Sequence, residues 1–196
     1  MTFSKKEISK AGQKVLSSKS IEERNLALEK INKWRTNHLH PLNVIKNALL
    51  RITDKQKIDP ILVSQRLKRL TSIEYKLDLN ENMGLGGMQD IGGFRAVLKD
   101  TKDLFKLKKI LDQNKLNHKL KKVVDYVERP KISGYRSIHF IYEYNSKIDK
   151  YNRLVLELQI RTKLQHNWAT AVETAGILTK TSLKSSQGPD EWLDFF

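Results

Sequence analysis

Leu154-Val155-Leu156-Glu157-Leu158-Gln159-Ile160-Arg161-Thr162 alternates with a period of two. Successive side chains of a strand point to opposite faces. Leu156, Leu158 and Ile160 therefore share a core face, and Glu157, Gln159 and Arg161 form a polar row on the other. Thr162 then stands where a helix over 162–178 needs an N-cap. A strand feeding directly into a helix points to a mixed architecture. Working outward, Ile138–Tyr144 and Asp90–Leu98 also read as strands, the second opened by glycines. Ile61–Lys68 reads as a strand with basic residues on one face. Thr71–Leu79 and the amphipathic Leu104–Leu111 read as helices. Upstream, Ile21–Trp34 has helical spacing, with Ser20 as N-cap and Glu23 placed for a capping box. His40-Pro41 is expected to end that helix, and Pro41 to start the next, through Val44, Ile45, Leu49 and Leu50. Asp59-Pro60 breaks the chain. The expected fold is α/β (α+β): a mixed sheet of four or five strands flanked by helices. A helical part over 1–58 belongs to the same domain as a core over 59–196.

The bulk properties narrow the chemistry. The chain carries 37 Lys+Arg against 22 Asp+Glu, a formal net charge of +15. Such an excess suits polyanionic partners, although much of it can simply be a solvated surface. Cysteine is absent, so disulfides and thiolate metal sites are excluded. No apolar run reaches the roughly 20 residues of a membrane helix. Met-Thr-Phe-Ser-Lys-Lys-Glu lacks a signal-peptide core, and a cytoplasmic protein is expected. The C-terminal Trp192-Leu193-Asp194-Phe195-Phe196 is unusually apolar for a terminus. It either packs back onto the domain or marks a chain that continues, and the second is the expectation.

Four segments could carry chemistry. In Arg66-Leu67-Lys68-Arg69-Leu70-Thr71-Ser72-Ile73-Glu74-Tyr75-Lys76, Arg66 and Lys68 share a strand face. Lys76 can swing to them from the following helix. Converging cations suit a triphosphate, and a basic strand edge has the same composition. Gly84-Leu85-Gly86-Gly87-Met88-Gln89-Asp90-Ile91-Gly92-Gly93-Phe94-Arg95 is no Walker loop, because no Gly-Lys-Ser/Thr follows. It offers Asp90, a metal ligand or a turn residue. Arg129-Pro130-Lys131-Ile132-Ser133-Gly134-Tyr135-Arg136-Ser137-Ile138-His139 reads as a turn presenting an exposed Tyr135 between basic residues. Such a Tyr can stack on a base while Lys131 and His139 hold phosphates, or it can pack into the turn. Glu157, Gln159 and Arg161 make a polar floor suited to magnesium and phosphate, or a solvated face.

Taken in order, Arg-x-Lys-x-x-x-Ser-Ile-x-x-Lys, Asp-Ile-x-Gly-x-Arg, Pro-Lys-x-x-Gly-Tyr-x-Ser-x-His and Glu-x-Gln-Ile-Arg-Thr resemble the synthetase domain of RelA/SpoT alarmone enzymes. The resemblance runs from about Ile61 to Glu173, where His166-Asn167-Trp168-Ala169 looks like that domain's next helix. It implies a nucleotidyltransferase-like fold that moves the β,γ-diphosphate of ATP onto the ribose 3′-hydroxyl of GDP or GTP. Arg66, Lys68 and Lys76 would bind ATP. Asp90 and Glu157 would hold magnesium, with Glu157 assisting at the hydroxyl. Tyr135 would stack on the acceptor base, and Lys131, His139, Gln159 and Arg161 would position the acceptor. Three departures stand out. Lys122-Val123-Val124-Asp125-Tyr126 replaces the family's usual Arg-x-Lys-Asp-Tyr or Glu-x-Asp-Asp-Tyr, which bears on the acceptor. Ser133-Gly134 stands for Asn-Gly. The five His do not supply the family's hydrolase domain, so the chain is expected to make product and not degrade it. Some small members resemble toxins that diphosphorylate the 3′ end of tRNA and are neutralised by an antitoxin. Lys102, Lys106, Lys108, Lys109, Lys119, Lys121 and Lys122 are the expected contiguous basic face for that acceptor. A non-catalytic nucleotide-binding module is a third reading, which the presence of both carboxylates disfavours.

Overall fold

A computed structural model describes residues 2–80, 82–181, 183 and 186–196. Three helices open the chain, α1 (Lys5–Ser17), α2 (Ile21–Thr36) and α3 (Leu39–Lys55). β1 (Leu62–Leu67), α4 (Leu70–Asp78), a 3-10 turn at Leu85–Gly87 and β2 (Gly92–Leu98) follow. Then come α5 (Thr101–Asp112), β3 (Lys119–Asp125), β4 (Ile138–Glu143), β5 (Val155–Thr162), α6 (Lys163–Thr179) and α7 (Asp190–Phe195). The five strands form one sheet in the order β1-β2-β5-β4-β3. β2 and β5 run parallel at its centre, and the other three pairings are antiparallel. The mixed sheet with flanking helices is the expected class. Among the described residues no helix is long and apolar enough to cross a membrane.

The alternation of β5 decides the two faces. Leu156, Leu158 and Ile160 join Phe94, Ala96 and Leu98 of β2 and Ile138 and Phe140 of β4 in the main core. Leu42, Ile45 and Leu49 of α3 and Leu104, Leu107 and Leu111 of α5 cover that face. A second core joins Ile8, Ala11 and Val15 of α1 to Ala27, Ile31 and Trp34 of α2 and Ile73 and Leu77 of α4. The N-terminal helices thus divide: α3 packs on the sheet, while α1 and α2 support α4 and the glycine-rich segment.

Three local expectations change. α2 ends at Thr36, before His40-Pro41, and Pro41 lies in the first turn of α3, where its missing N–H needs no partner. Ser20 caps α2 by accepting from Glu23 N at 3.3 Å, but the box is not completed. The Glu23 carboxylate turns instead to Ser18 Oγ at 3.0 Å and Lys14 Nζ at 3.3 Å. Full capping boxes form at Ser4 with Glu7 and at Thr162 with Gln165. β3 is a strand the sequence reading did not assign. Its lysines hide the pattern, as suits an edge strand, and it is bulged between Leu120 and Lys122.

His38 closes the corner between α2 and α3. It is buried, and its Nδ1 lies 3.1 Å from Trp34 O, so Nδ1 carries the proton. Burial pushes its pKa down to about 4 from 6.5. A depressed histidine stabilises the fold fully above pH 6.5 and loses that contribution as the unfolded chain protonates below it. Between pH 7 and 4.5 the parent should lose about 2–3 kcal/mol more than a His38→Phe variant. Urea midpoints at the two pH values check this, and equal slopes would place His38 in contact with water.

Candidate active site

The polar face of the sheet is built from register. Glu157 lies opposite Gly93 of β2, and Gly93 lies opposite Arg66 of β1. One row along, Gln159 lies between Arg95 of β2 and His139 of β4. Asp90 enters from the turn before β2. Arg66, Asp90, Gly93, Arg95, Glu157 and Gln159 line one cleft of about 60 Å³. A Cβ on Gly93 would approach nothing closer than Glu157 O, at 3.8 Å. The missing side chain leaves the floor open between Arg66 and Glu157.

Two hydrogen-bonded systems hold the carboxylates. Lys68 Nζ lies 2.9 Å from Asp90 Oδ2, and Lys76 Nζ lies 3.0 Å from Asp90 Oδ1. Burial pushes the Asp90 carboxyl up, but the two lysines outweigh it and hold it below its ordinary value. Glu157 belongs to a closed ring of five side chains. His139 Nδ1 is 2.9 Å from Glu157 Oε1, and Gln159 Nε2 donates to Glu157 Oε2 at 2.7 Å. Arg161 Nη2 donates to Gln159 Oε1 at 2.6 Å and to the Tyr135 hydroxyl at 3.0 Å. The Tyr135 hydroxyl returns to His139 Nε2 at 2.8 Å. With the hydroxyl donating to Nε2 and Nδ1–H donating to Glu157, each of these bonds has one donor and one acceptor. Burial pushes the Glu157 carboxyl up, and the bonds from His139 and Gln159 bring it below its ordinary value. Burial, above all, raises the Tyr135 hydroxyl and keeps it a neutral phenol.

Of the residues singled out from sequence, Arg66, Asp90, Glu157 and Gln159 meet in the cleft, and Lys68 and Lys76 join them through Asp90. Tyr135, His139 and Arg161 join through the ring. The expectation of an exposed Tyr135 is corrected, because it is 3% exposed. Its ring packs against Tyr126 and Trp168, with centroids at 5.8 and 6.5 Å, and its hydroxyl is tied inward. Arg161 is not on the open floor either. At 1% exposure it lies at the mouth of α6, where the chain turns over the sheet. Lys131 Nζ sits 4.9 Å over the Tyr126 ring and 5.5 Å from the Tyr135 ring.

Sequence reasoning missed two residues. Arg95 lines the cleft, and its buried Nε has no hydrogen-bond partner among the described residues. Alternation through Gly93, Arg95 and Val97 was the available signal. Tyr126 stands edge-on to His139 at 5.2 Å. Three lysines of the expected basic face have partners within the chain. α5 lies behind the sheet, where Lys108 pairs with Asp112 and Lys106 donates to Gln56 O. Lys121 of β3 pairs with Glu143. The apolar C-terminus packs back: Leu193 and Phe196 join Val172 and Ala175, and Trp168 Nε1 donates to Phe196 O at 3.0 Å.

Magnesium prefers hard oxygen ligands and usually takes one or two carboxylates, completing its shell with water and substrate phosphates. Among the described residues no group of three His, Cys, Asp or Glu is placed to hold a metal. Two carboxylates on one open-floored cleft, with cations beside them, fit that mode of binding.

Residues 65–182 match the region found in RelA / SpoT proteins. The chain belongs to the RelA/SpoT family. Among curated relatives it is 27% identical over 135 residues to the GTP pyrophosphokinase YwaC of Bacillus subtilis, covering 68% of this chain and 59% of that protein. It is 33% identical over 114 residues to a probable chloroplastic GTP diphosphokinase of Arabidopsis thaliana, covering 57% of this chain and 15% of the relative. The chain therefore spans only part of these relatives' length. Two solved structures share the RelA/SpoT fold. A GTP pyrophosphokinase family protein from Streptococcus pneumoniae has a TM-score of 0.67 at 24% identity, covering 86% of this chain and 83% of that one. Small alarmone synthetase 1 of Bacillus subtilis, bound to its product pppGpp, has a TM-score of 0.65 at 23% identity, with 82% of each chain covered.

Proposed function

We propose that the chain is a magnesium-dependent pyrophosphokinase that transfers the β,γ-diphosphate of ATP to the ribose 3′-hydroxyl of GDP or GTP. The observation that carries this reading is Asp90 and Glu157 on one open-floored cleft with Arg66 and Arg95, in a member of the RelA/SpoT family. Lys68 and Lys76 stand beside Asp90 and can reach a polyphosphate. The acceptor 3′-oxygen attacks the β-phosphorus, the bond from that phosphorus to the α-phosphate oxygen breaks, and AMP leaves. Such a transfer depends on positioning and charge neutralisation more than on covalent catalysis. Asp90 and Glu157 would hold the magnesium, which would supply positive charge to the polyphosphate.

Glu157 is ionised at neutral pH and, with its lowered pKa, is a weak base. Its role is to orient the 3′-hydroxyl and to take the proton as the new P–O bond forms. His139 and Gln159 fix the carboxylate for that contact. Gly93 gives the polyphosphate room on the floor, and Arg66 and Arg95 flank it.

Incubating the protein with magnesium, γ-labelled ATP and GDP, GTP or deacylated tRNA tests the assignment. Label on GDP or GTP is the expected result. Label on tRNA alone would move the protein to the tRNA-modifying reading that the +15 charge favours, and label on neither would remove the transferase reading.

Tyr135→Phe separates two roles for the buried tyrosine. Phe keeps the packed ring and deletes the hydroxyl that joins Arg161 to His139. If the ring positions Glu157, turnover falls about tenfold while the acceptor KM changes little. The hydroxyl makes two buried hydrogen bonds, to Arg161 and His139, each worth about 0.5–1.5 kcal/mol, and a tenfold fall corresponds to about 1.4 kcal/mol of that. Unchanged turnover would confine Tyr135 to packing.

A further inference from the structure

Both oxygens of Asp90 carry a lysine ammonium, Lys68 Nζ on Oδ2 at 2.9 Å and Lys76 Nζ on Oδ1 at 3.0 Å. Both oxygens of Glu157 are engaged as well, by His139 Nδ1 and Gln159 Nε2. A carboxylate oxygen has lone pairs to share, so the imidazole and amide donors on Glu157 can remain beside a metal. The ammonium groups cannot do so without cost. A divalent ion about 2 Å from an Asp90 oxygen would face two positive charges at the same carboxylate, in a half-buried site that screens poorly. Lys68 is 13% exposed and Lys76 34%, so water screens the first ammonium little and the second only in part.

We propose that Lys68 and Lys76 are positioning residues that guard Asp90: the protein takes its divalent ion only together with the nucleotide, whose polyphosphate draws the two ammonium groups off the carboxylate. This rests on reading Asp90 and Glu157 as the metal ligands, and it adds an order of events to that reading. The stems of both lysines are flexible, and an ammonium is a point charge that transfers readily between acceptors. A polyphosphate seated over Gly93 competes directly for them. Each lysine that moves neutralises phosphate and frees one Asp90 oxygen. The same two side chains thus serve as internal counter-ions without nucleotide and as phosphate ligands with it. The arrangement couples metal and nucleotide affinity, since by linkage each must raise the other.

The test is Mn²⁺ binding to the full chain without nucleotide, read from the electron paramagnetic resonance signal of free Mn²⁺. A Lys68→Met/Lys76→Met variant is expected to bind Mn²⁺ at least about tenfold more tightly than the parent, a gain opposite to what loss of useful groups would normally bring. Mn²⁺ should also raise the melting temperature of the double variant and leave that of the parent nearly unchanged. This second readout shows whether the variant folds, and Lys68→Gln/Lys76→Gln serves if the Met pair does not. Parent and double variant binding Mn²⁺ alike would overturn the inference. Adding Asp90→Asn to the double variant should abolish the gained affinity; a persistent gain would overturn the inference together with the placing of the metal on Asp90. If the double variant gains nothing, the inference fails. In that case, the complex of Mn²⁺ with a non-hydrolysable ATP analogue still tests the metal site: binding to the parent that is lost in Asp90→Asn leaves that reading standing.

Discussion

Glu157→Gln is expected to lower diphosphate transfer by at least about a hundredfold, the usual scale for losing one charge-stabilising group of a transferase site. Glutamine matches the shape of the side chain but not its charge. It also mismatches the ring, because its amide has one acceptor oxygen where Glu157 accepts from both His139 and Gln159. A modest loss of stability, about 1 kcal/mol, should accompany the kinetic effect. Asp90→Asn should produce a similar kinetic loss from the other side of the cleft, leaving Lys68 and Lys76 without their shared partner. Measured turnover of each folded variant, beside its melting curve, separates chemistry from folding. Near-normal turnover in either would remove that residue from the metal site. Both carboxyls are held below their ordinary values, so both remain ionised through the neutral range. An acid limb of the pH–rate profile near neutrality must therefore come from another group.

How much of this was legible depended on the range of the interactions. Alternation in Leu154–Thr162 is local, and it placed Glu157 and Gln159 on the functional face and three aliphatics in the core before any fold was known. The Thr162 cap and the strand at β2 were legible for the same reason. The ring was not. It requires β4 to lie beside β5 so that His139 falls opposite Gln159. It also requires the loop before β4 to fold back and carry the Tyr135 hydroxyl to Arg161. Tyr135 looked exposed because its neighbours in sequence are basic. It is buried because Trp168, from α6, packs against it. β3 was invisible because an edge strand needs only one apolar face, and its lysines masked even that. The charge of the 102–122 stretch was plain, and Lys108 with Asp112 is an i,i+4 pair readable within the helix, but Gln56 and Glu143 lie in other elements that a linear reading cannot pair with it.

Gly92 and Gly93 share the same glycine-rich context, and the structure gives them opposite tasks. A Cβ on Gly92 would lie 2.7 Å from Leu156 Cδ2 and 3.1 Å from His38 Cβ, so Gly92 is needed for packing. Gly92→Ala should cost about 1–3 kcal/mol of stability, as overpacking does. Gly93 has open space above it. Valine there suits a strand, and its Cβ would meet only Glu157 O at an ordinary contact distance of 3.8 Å, so Gly93→Val should fold as well as the parent. Its isopropyl group, however, would stand in a cleft of about 60 Å³ between Arg66 and Glu157. Displacing a polyphosphate from that floor should lower kcat/KM for ATP by about a hundredfold, equivalent to about 2.7 kcal/mol of lost transition-state binding. Varying ATP and the acceptor separately locates the loss. If Gly93→Val uses ATP normally, the cleft is not the polyphosphate site. If it melts as early as Gly92→Ala, the space above Gly93 is not open in solution. A stable, inactive Gly93→Val beside an unstable Gly92→Ala would show that the second glycine is there for the ligand and the first for the fold.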